Sequence, residues 1–388
     1  VSLRDTTGAT AAHDITSPKS IPEYDTSAMD GYAIHSHTTA NASPVTPVLF
    51  RVQGSLAAGD DPRSISWPTP NTVDEMELNS CVEIMTGAIF PDRASTGKPY
   101  DACVRVEDAK IVDTPLHGGG RTIAVSHPVT PGVNKRLAGN DIREGDVMVR
   151  KGQVIRPAHI LALAAVGIQS IPVVPKLRVA IVSTGRELIN GKGATKDANG
   201  PYLTVAIREM GADADFVGII GDDPTALQDH VQNLVDSGLY DLILTSGAVS
   251  KGRFDHVRAV LDKTKAEIIF HGLAIRPGHP VLFALLPEKK GRRIPLFGLP
   301  GNPGAAAACF RLLTVPYLRA VQGQPMEQPI RAVLQSECAR KTTHPPPGTD
   351  WFRHGTLSAS STGQLTVHPT PEQSPAKLGP FLSANCWI

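Results

Sequence analysis

Between residues 176 and about 320 the chain alternates short apolar runs with segments of helical length. The runs "RVAIVS", "DFVGII", "DLILTS" and "IPLFGL" are apolar at consecutive positions, not at every second one. That pattern belongs to strands covered on both faces, and it predicts a parallel sheet between two layers of helices. In "NGPYLTVAIREMGAD" Leu203, Ile207 and Met210 share one helical face, and in "DPTALQDHVQNLVDSG" Leu227, Val231, Leu234 and Val235 do the same. The second segment opens on Asp-Pro and stops at Gly238, which are start and stop signals for a helix. A third helix is expected over "NPGAAAACFRLLTVPYL".

The flanks read differently. Residues 20–150 are rich in Pro, Gly, Thr and Val, and short alternating runs such as "VLFRVQG" and "CVRVEDAKIV" predict an all-β module with long loops. The stretch "GDVMVRKGQVIRPAHILALAAVGI" reads as two strands, a proline-started helix and a glycine stop, forming a connector. After residue 324 "WFRHGTLSAS" and "QLTVHPT" return to β, while "HPPPGT" can only be a loop. A length of 388 residues calls for two to four domains.

Composition narrows the function classes. The 38 Lys and Arg nearly balance the 37 Asp and Glu without long runs of one sign, so charge suggests neither nucleic acid nor an anionic membrane as partner. The longest apolar stretches fall short of the about 18 residues that a spanning helix needs. The scattered Cys81, Cys103, Cys309, Cys338 and Cys386 show neither disulfide nor zinc spacing, which makes a reducing cytoplasm the expected location. The first residue is Val with no basic-then-apolar leader after it, and a targeting segment stays an open question.

Ligands of an open parallel sheet sit beyond the carboxyl ends of its strands. Three of those ends, "VSTGREL", "LTSGAVSKGRFDHV" and "FGLPGNPGAAA", are rich in Gly, Ser and Thr and would present backbone N–H groups to a phosphate or other oxyanion. A tight turn explains any one of them; three at one sheet edge point to a site. The second loop adds Lys251 and Arg253 as anion-binding charges and Asp255 as an acceptor for a magnesium ion or a hydroxyl. "AIRPGHP" places Arg276 and His279 around a Pro-Gly turn. In the β-rich part Asp30, Thr86 and Asp141 stand on polar turns, where spacing alone would pass them over.

Together the segments "SAMDGYAI", "IMTGA", "CVRVED", "VNKRLAGNDIREGD", "RPAHILALAAVGI", "VSTGREL", "DANGPYL", "GDDPTALQDHV", "LTSGAVSKGRFDHV", "FHGLAIRPGHP" and "FGLPGNPGAAAACF" closely resemble, in order and nearly end to end, the molybdopterin molybdenumtransferase family. This family of molybdenum insertases includes bacterial MoeA and the E domain of gephyrin. The resemblance implies an α/β plus β multidomain fold. Its parts would be an elongated connector (1–18 and 146–175), an inserted β-rich domain (19–145), a molybdopterin-binding-like α/β domain (176–323) and a C-terminal β-barrel (324–388). It also implies a homodimer whose cleft lies between the α/β domain of one subunit and the β-rich domain of the other. The implied reaction uses adenylylated molybdopterin and molybdate, with magnesium or zinc present, and releases AMP.

Carried over by position, the resemblance puts Asp30, Thr86, Glu107 and Asp141 in the β-rich wall of the cleft. Ser183, Thr184, Gly185 and Glu187 fall in the first strand-end loop, and Ser246, Gly247, Ser250 and Asp255 in the pterin and phosphate loop, Asp255 as the metal ligand. Pro300, Gly301, Asn302 and Pro303 form the glycine-proline loop, and Arg353 faces molybdate. Several positions depart from the family pattern, among them Ala248 for a glycine and Arg253 near a frequently acidic site of "SGGVSxGxxD". Arg186 replaces the carboxylate of "STGDEL", Arg276 and His279 replace the lysines of "KPGKP", and Ala305 replaces a serine. An arginine where a magnesium-binding carboxylate stood disfavours a metal-dependent step. Arg186, Arg253, Arg276, Lys251 and His279 around one crevice would suit an anion without a metal. Two other readings therefore stay open: a divergent paralogue using Asp30, Glu107, Asp141 or His279 as acid or base, and a noncatalytic scaffold like gephyrin.

Overall fold

The computed structural model describes residues 1–65, 79–91, 99–112, 121–189, 196–221, 223–248, 256–288, 291–335 and 347–388. Its central sheet has six strands in the order Asp213–Ile220, Arg178–Thr184, Leu242–Ser246, Pro295–Leu299, Leu282–Leu285, Glu267–His271. The first four are parallel, as the apolar runs predict. Along Arg178–Thr184, Val179 and Ile181 pack with Leu203 and Ile207 on one face, while Ala180 and Val182 pack with Leu227 and Val231 on the other. A strand with no solvent face has no place for polar alternation.

The last two strands are antiparallel to their neighbours, which the sequence pattern does not reveal. The segments that link them are too short for the crossover of about a dozen residues that a parallel pair requires. One of these links, residues 272–281, carries Arg276 and His279 toward the functional edge of the sheet.

The helix Pro224–Ser237 has the predicted punctuation. Asp223 caps it by accepting from the Thr225 N–H at 2.9 Å, and Gly238 ends it in a left-handed conformation at φ 67°.

A second six-stranded sheet, ordered Ala102–Arg105, Gly31–Ile34, Asn79–Ile84, Val48–Leu56, Thr122–Val125, Ala109–Val112, forms the β-rich part. Segments from the two sides of this sheet in sequence meet in another cluster, where Leu3, Ala11 and Ile15 pack with Val149, Ile155, Leu163 and Ile171. The described C-terminal strands form a four-stranded sheet, Val333–Leu334, Leu365–Pro369, His354–Ala359, Cys386–Trp387. A parallel pair, Ile275–Arg276 with Asp350–Trp351, ties this sheet's segment to the central one.

Burial of a Val, Leu or Ile side chain stabilises by about 1.5–3 kcal/mol. Ile181→Ala, at a fully buried central position, is expected to cost about 2–5 kcal/mol. Val205→Ala, 65% exposed on the helix Asn199–Glu209, should stay within about 0.5 kcal/mol of the parent. Denaturant midpoints at constant slope measure both.

Candidate functional site

Three central strands end level, because Ser183 is in register with Ser246 and Ser246 with Leu299. The chain leaves them through the three loops rich in small residues, and the loops are bonded to one another. Thr184 Oγ1 donates to the Ser246 carbonyl at 3.1 Å, and the Gly247 N–H donates to the Leu299 carbonyl at 3.0 Å. Gly247 adopts φ 95°, and a Cβ there would lie 2.4 Å from the Thr184 carbonyl oxygen. Only glycine fits this crossing.

Two residues of the "DANGP" turn brace the loops from the side. Asn199 Nδ2 donates to Ser246 Oγ at 2.6 Å and to the Gly301 carbonyl at 2.9 Å, joining the second loop to the third. Asp197 accepts from Ser183 Oγ at 2.7 Å and from the Gly200 N–H at 3.0 Å. Neither was singled out from sequence beyond the quoted motif. A carboxylate three residues ahead of a Gly-Pro helix start was the available signal.

The loops open into a cavity of about 570 Å³ lined by Thr184, Gly185, Glu187, Asp197, Ser246 and Asn302 among others. The Glu187 carboxylate folds over Gly185, close enough that a Cβ on Gly185 would lie 2.6 Å from its Oε1. Pro280, Pro300 and Asn302 also line a wider cavity of about 820 Å³, so the two form one crevice. The wider half has Arg276, His279, Arg353 and Glu372 in its wall. His279 Nδ1 lies 2.6 Å from the Leu273 carbonyl; since a carbonyl can only accept, Nδ1 carries a proton and donates. Behind this loop Gly278 turns at φ 112°, its would-be Cβ 2.4 Å from Cys309 Sγ. Burial pushes the Cys309 thiol up to about 12, so it stays protonated and serves packing.

The expected residues fall in different places. Thr184, Gly185, Glu187, Ser246, Gly247, Pro300, Gly301, Asn302 and Pro303 line the narrower cavity, and Arg276, His279 and Arg353 the wider one, with Ala305 beside them. Ser183 is buried under the loops as a donor to Asp197. Arg186 is exposed at the first position of the helix Arg186–Ile189 and lines neither cavity. The sequence reading places it among the cations of the crevice; among the described residues it stands next to the cavity-lining Gly185 and Glu187. Successive helical residues turn about 100° apart, and here Glu187 and Leu188 face inward. Ser250, Lys251, Arg253 and Asp255 lie outside the described residues.

Asp30, Thr86 and Glu107 meet at one end of three neighbouring strands, since Gly31 pairs with both Ile84 and Arg105. Asp30 Oδ1 accepts from the Thr86 N–H at 2.7 Å and its hydroxyl at 2.8 Å, and these bonds lower its carboxyl below the usual value. Asp141 sits on a separate turn, its N–H donating to the Ile21 carbonyl at 3.1 Å. None of the four lines the crevice of its own chain. Among the described residues no three His, Cys, Asp or Glu converge as a metal site, and no helix is long and apolar enough to cross a membrane.

A multidomain chain with a glycine-rich, strand-end crevice of this kind matches known architectures. Residues 1–167 match the MoeA N-terminal region (domain I and II), and residues 180–320 match a probable molybdopterin binding domain. The molybdopterin biosynthesis MoeA protein of Pyrococcus horikoshii superposes with a TM-score of 0.74 at 28% identity, covering 100% of this chain and 88% of that one. A molybdopterin molybdenumtransferase of Synechococcus elongatus is 32% identical over 393 residues, covering 100% of this chain and 89% of its own length. One from Staphylococcus aureus is 29% identical over 397 residues, with 100% and 86% covered. The chain belongs to the molybdopterin molybdenumtransferase family.

Replacing Asn199 by Leu strips the Ser246 hydroxyl and the Gly301 carbonyl of a buried partner. The expected loss is about 1–3 kcal/mol, read from the denaturant midpoint. Gly247→Ala should be at least as damaging, because both its φ and its space forbid a side chain.

Proposed function

We propose that the chain is a transferase of molybdenum cofactor biosynthesis that inserts molybdate into adenylylated molybdopterin with release of AMP. The observation that carries this reading is the continuous crevice: a hydrogen-bonding half built on level strand ends opens into a half walled by Arg276, His279 and Arg353. The first half offers hydroxyl, amide and backbone groups for a pterin and its phosphate. The second offers charge for an oxyanion.

In this reading Ser246 and Asn302 orient the bound nucleotide at the loops that Asn199 holds together. Glu187 is the cavity carboxylate that accepts no hydrogen bond from the described residues, whereas both oxygens of Asp197 are engaged. It is the group that would hold magnesium alongside substrate phosphate oxygens, where the ion would offset phosphate charge. Arg186 stands beside the cavity in solvent, so the charge reversal at that position does not place a cation among the donors.

The proposal includes a homodimer in which Asp30, Thr86, Glu107 and Asp141 of a second copy close the crevice. Their exposed side chains, which line neither cavity of their own chain, support it. The four-part division at 1–18 with 146–175, 19–145, 176–323 and 324–388, with the last part as a barrel, belongs to the same reading.

Purified protein supplied with adenylylated molybdopterin, magnesium and molybdate should release AMP and yield active cofactor. Silence from folded protein would favour the divergent-paralogue reading or a scaffold. Glu187→Gln should lower AMP release about 10–100-fold. Arg186→Asp should change it by less than about threefold, because an exposed charge is screened by salt.

A further inference from the structure

We propose that Trp351 is a positioning residue for a tetrahedral oxyanion, its ring holding the Arg276 and Arg353 guanidiniums as a preorganised pair at the wall of the wider cavity. The inference rests on the reading that this half of the crevice binds an anion. It adds how the cations are held there.

Strand pairing brings the three side chains together. Arg276 is directly opposite Trp351 in the parallel pair, and the Phe352 N–H donates to the Arg276 carbonyl at 2.7 Å. Two residues on, the Arg353 N–H donates to the Ile388 carbonyl at 3.0 Å, which fixes the chain on the far side. The Arg276 guanidinium carbon lies 5.1 Å from the centroid of the indole and that of Arg353 5.3 Å, both within cation–π range. One aromatic ring serves two cations.

Two guanidiniums held on one ring are like charges and repel. Among the described residues neither arginine forms an ion pair, and Glu372, which lines the same cavity, is engaged with Lys377 at 2.8 Å and the Ser374 N–H at 3.1 Å. The ring face is therefore their counterpart within the protein, and the cavity in front holds room for an anion that would neutralise both. Trp351 is half-buried, and its indole Nε1 is buried with no acceptor among the described residues. Its contacts with the two arginines are made by the ring and not by the N–H. An arginine at 276 suits this use better than a lysine, because a guanidinium stacks flat while leaving its N–H edge for the ligand. Without the ring both side chains would have to be ordered at the moment of binding, at a cost in affinity.

The test is equilibrium binding of molybdate to the full chain, with inorganic sulfate as competitor, for the parent, Arg353→Ala, Trp351→Phe, Trp351→Leu and the Trp351→Leu/Arg353→Ala pair. Trp351→Leu should weaken molybdate about tenfold, and Trp351→Phe, which keeps a flat face, by less than about threefold. The combined loss should fall short of the product of the single losses, since both act through Arg353. In AMP-release assays the Trp351→Leu effect should fall on KM for molybdate more than on kcat. Normal binding by Trp351→Leu alongside loss in Arg353→Ala would overturn the positioning role and leave the anion site standing. Equal impairment of Phe and Leu variants, with lowered thermal midpoints, would assign the ring to packing alone and also overturn it. A parent that binds neither oxyanion, or an Arg353→Ala variant that binds normally, would sink both readings.

Discussion

Everything at the crevice depends on one crossing of backbones, where Gly247 passes beneath Thr184 with no room for a side chain. The crossing is possible because three parallel strands end in register. Beyond that edge the sheet can no longer satisfy its own polar groups, and side chains must do so. Asn199 and Asp197 take that role from the start of a neighbouring helix, so the loops are held by groups that belong to none of them. A ligand meeting such an edge finds donors already oriented.

The two halves of the crevice have different origins. The narrower one is a product of sheet geometry, with glycines in its lining where backbones cross. The wider one exists because an antiparallel hairpin, added to the parallel core, carries residues 272–281 outward to pair with Asp350–Trp351. Arg276 and Arg353 stand in this second half with Glu372, whereas Glu187, Lys196 and Asp197 stand in the first. Proline and asparagine residues shared by both halves, Pro280, Pro300 and Asn302, make the join.

Much of this was legible in the residues. Consecutive apolar positions announced the central strands, and Asp223 with Gly238 marked a helix at both ends. The strand-end loops were recognisable because glycine, serine and asparagine have few reasons to cluster after buried strands. The antiparallel strands were not legible, since direction depends on the length of a link and not on the pattern of the run. Arg186 marks a related limit: a motif gives the order of side chains, but the angle at which a helix begins decides which of them faces inward. Asp197 and Asn199 escaped notice because a capping turn and a brace between loops use the same residue types. The grouping of Asp30, Thr86 and Glu107 follows from strand order, which local sequence does not encode.

The parallel pairing of Ile275–Arg276 with Asp350–Trp351 has a mechanical corollary. It makes one wall of the wider cavity continuous, through main-chain bonds, with the loop that forms its floor. Swinging the C-terminal sheet aside would drag that floor with it, so the slot keeps a set width.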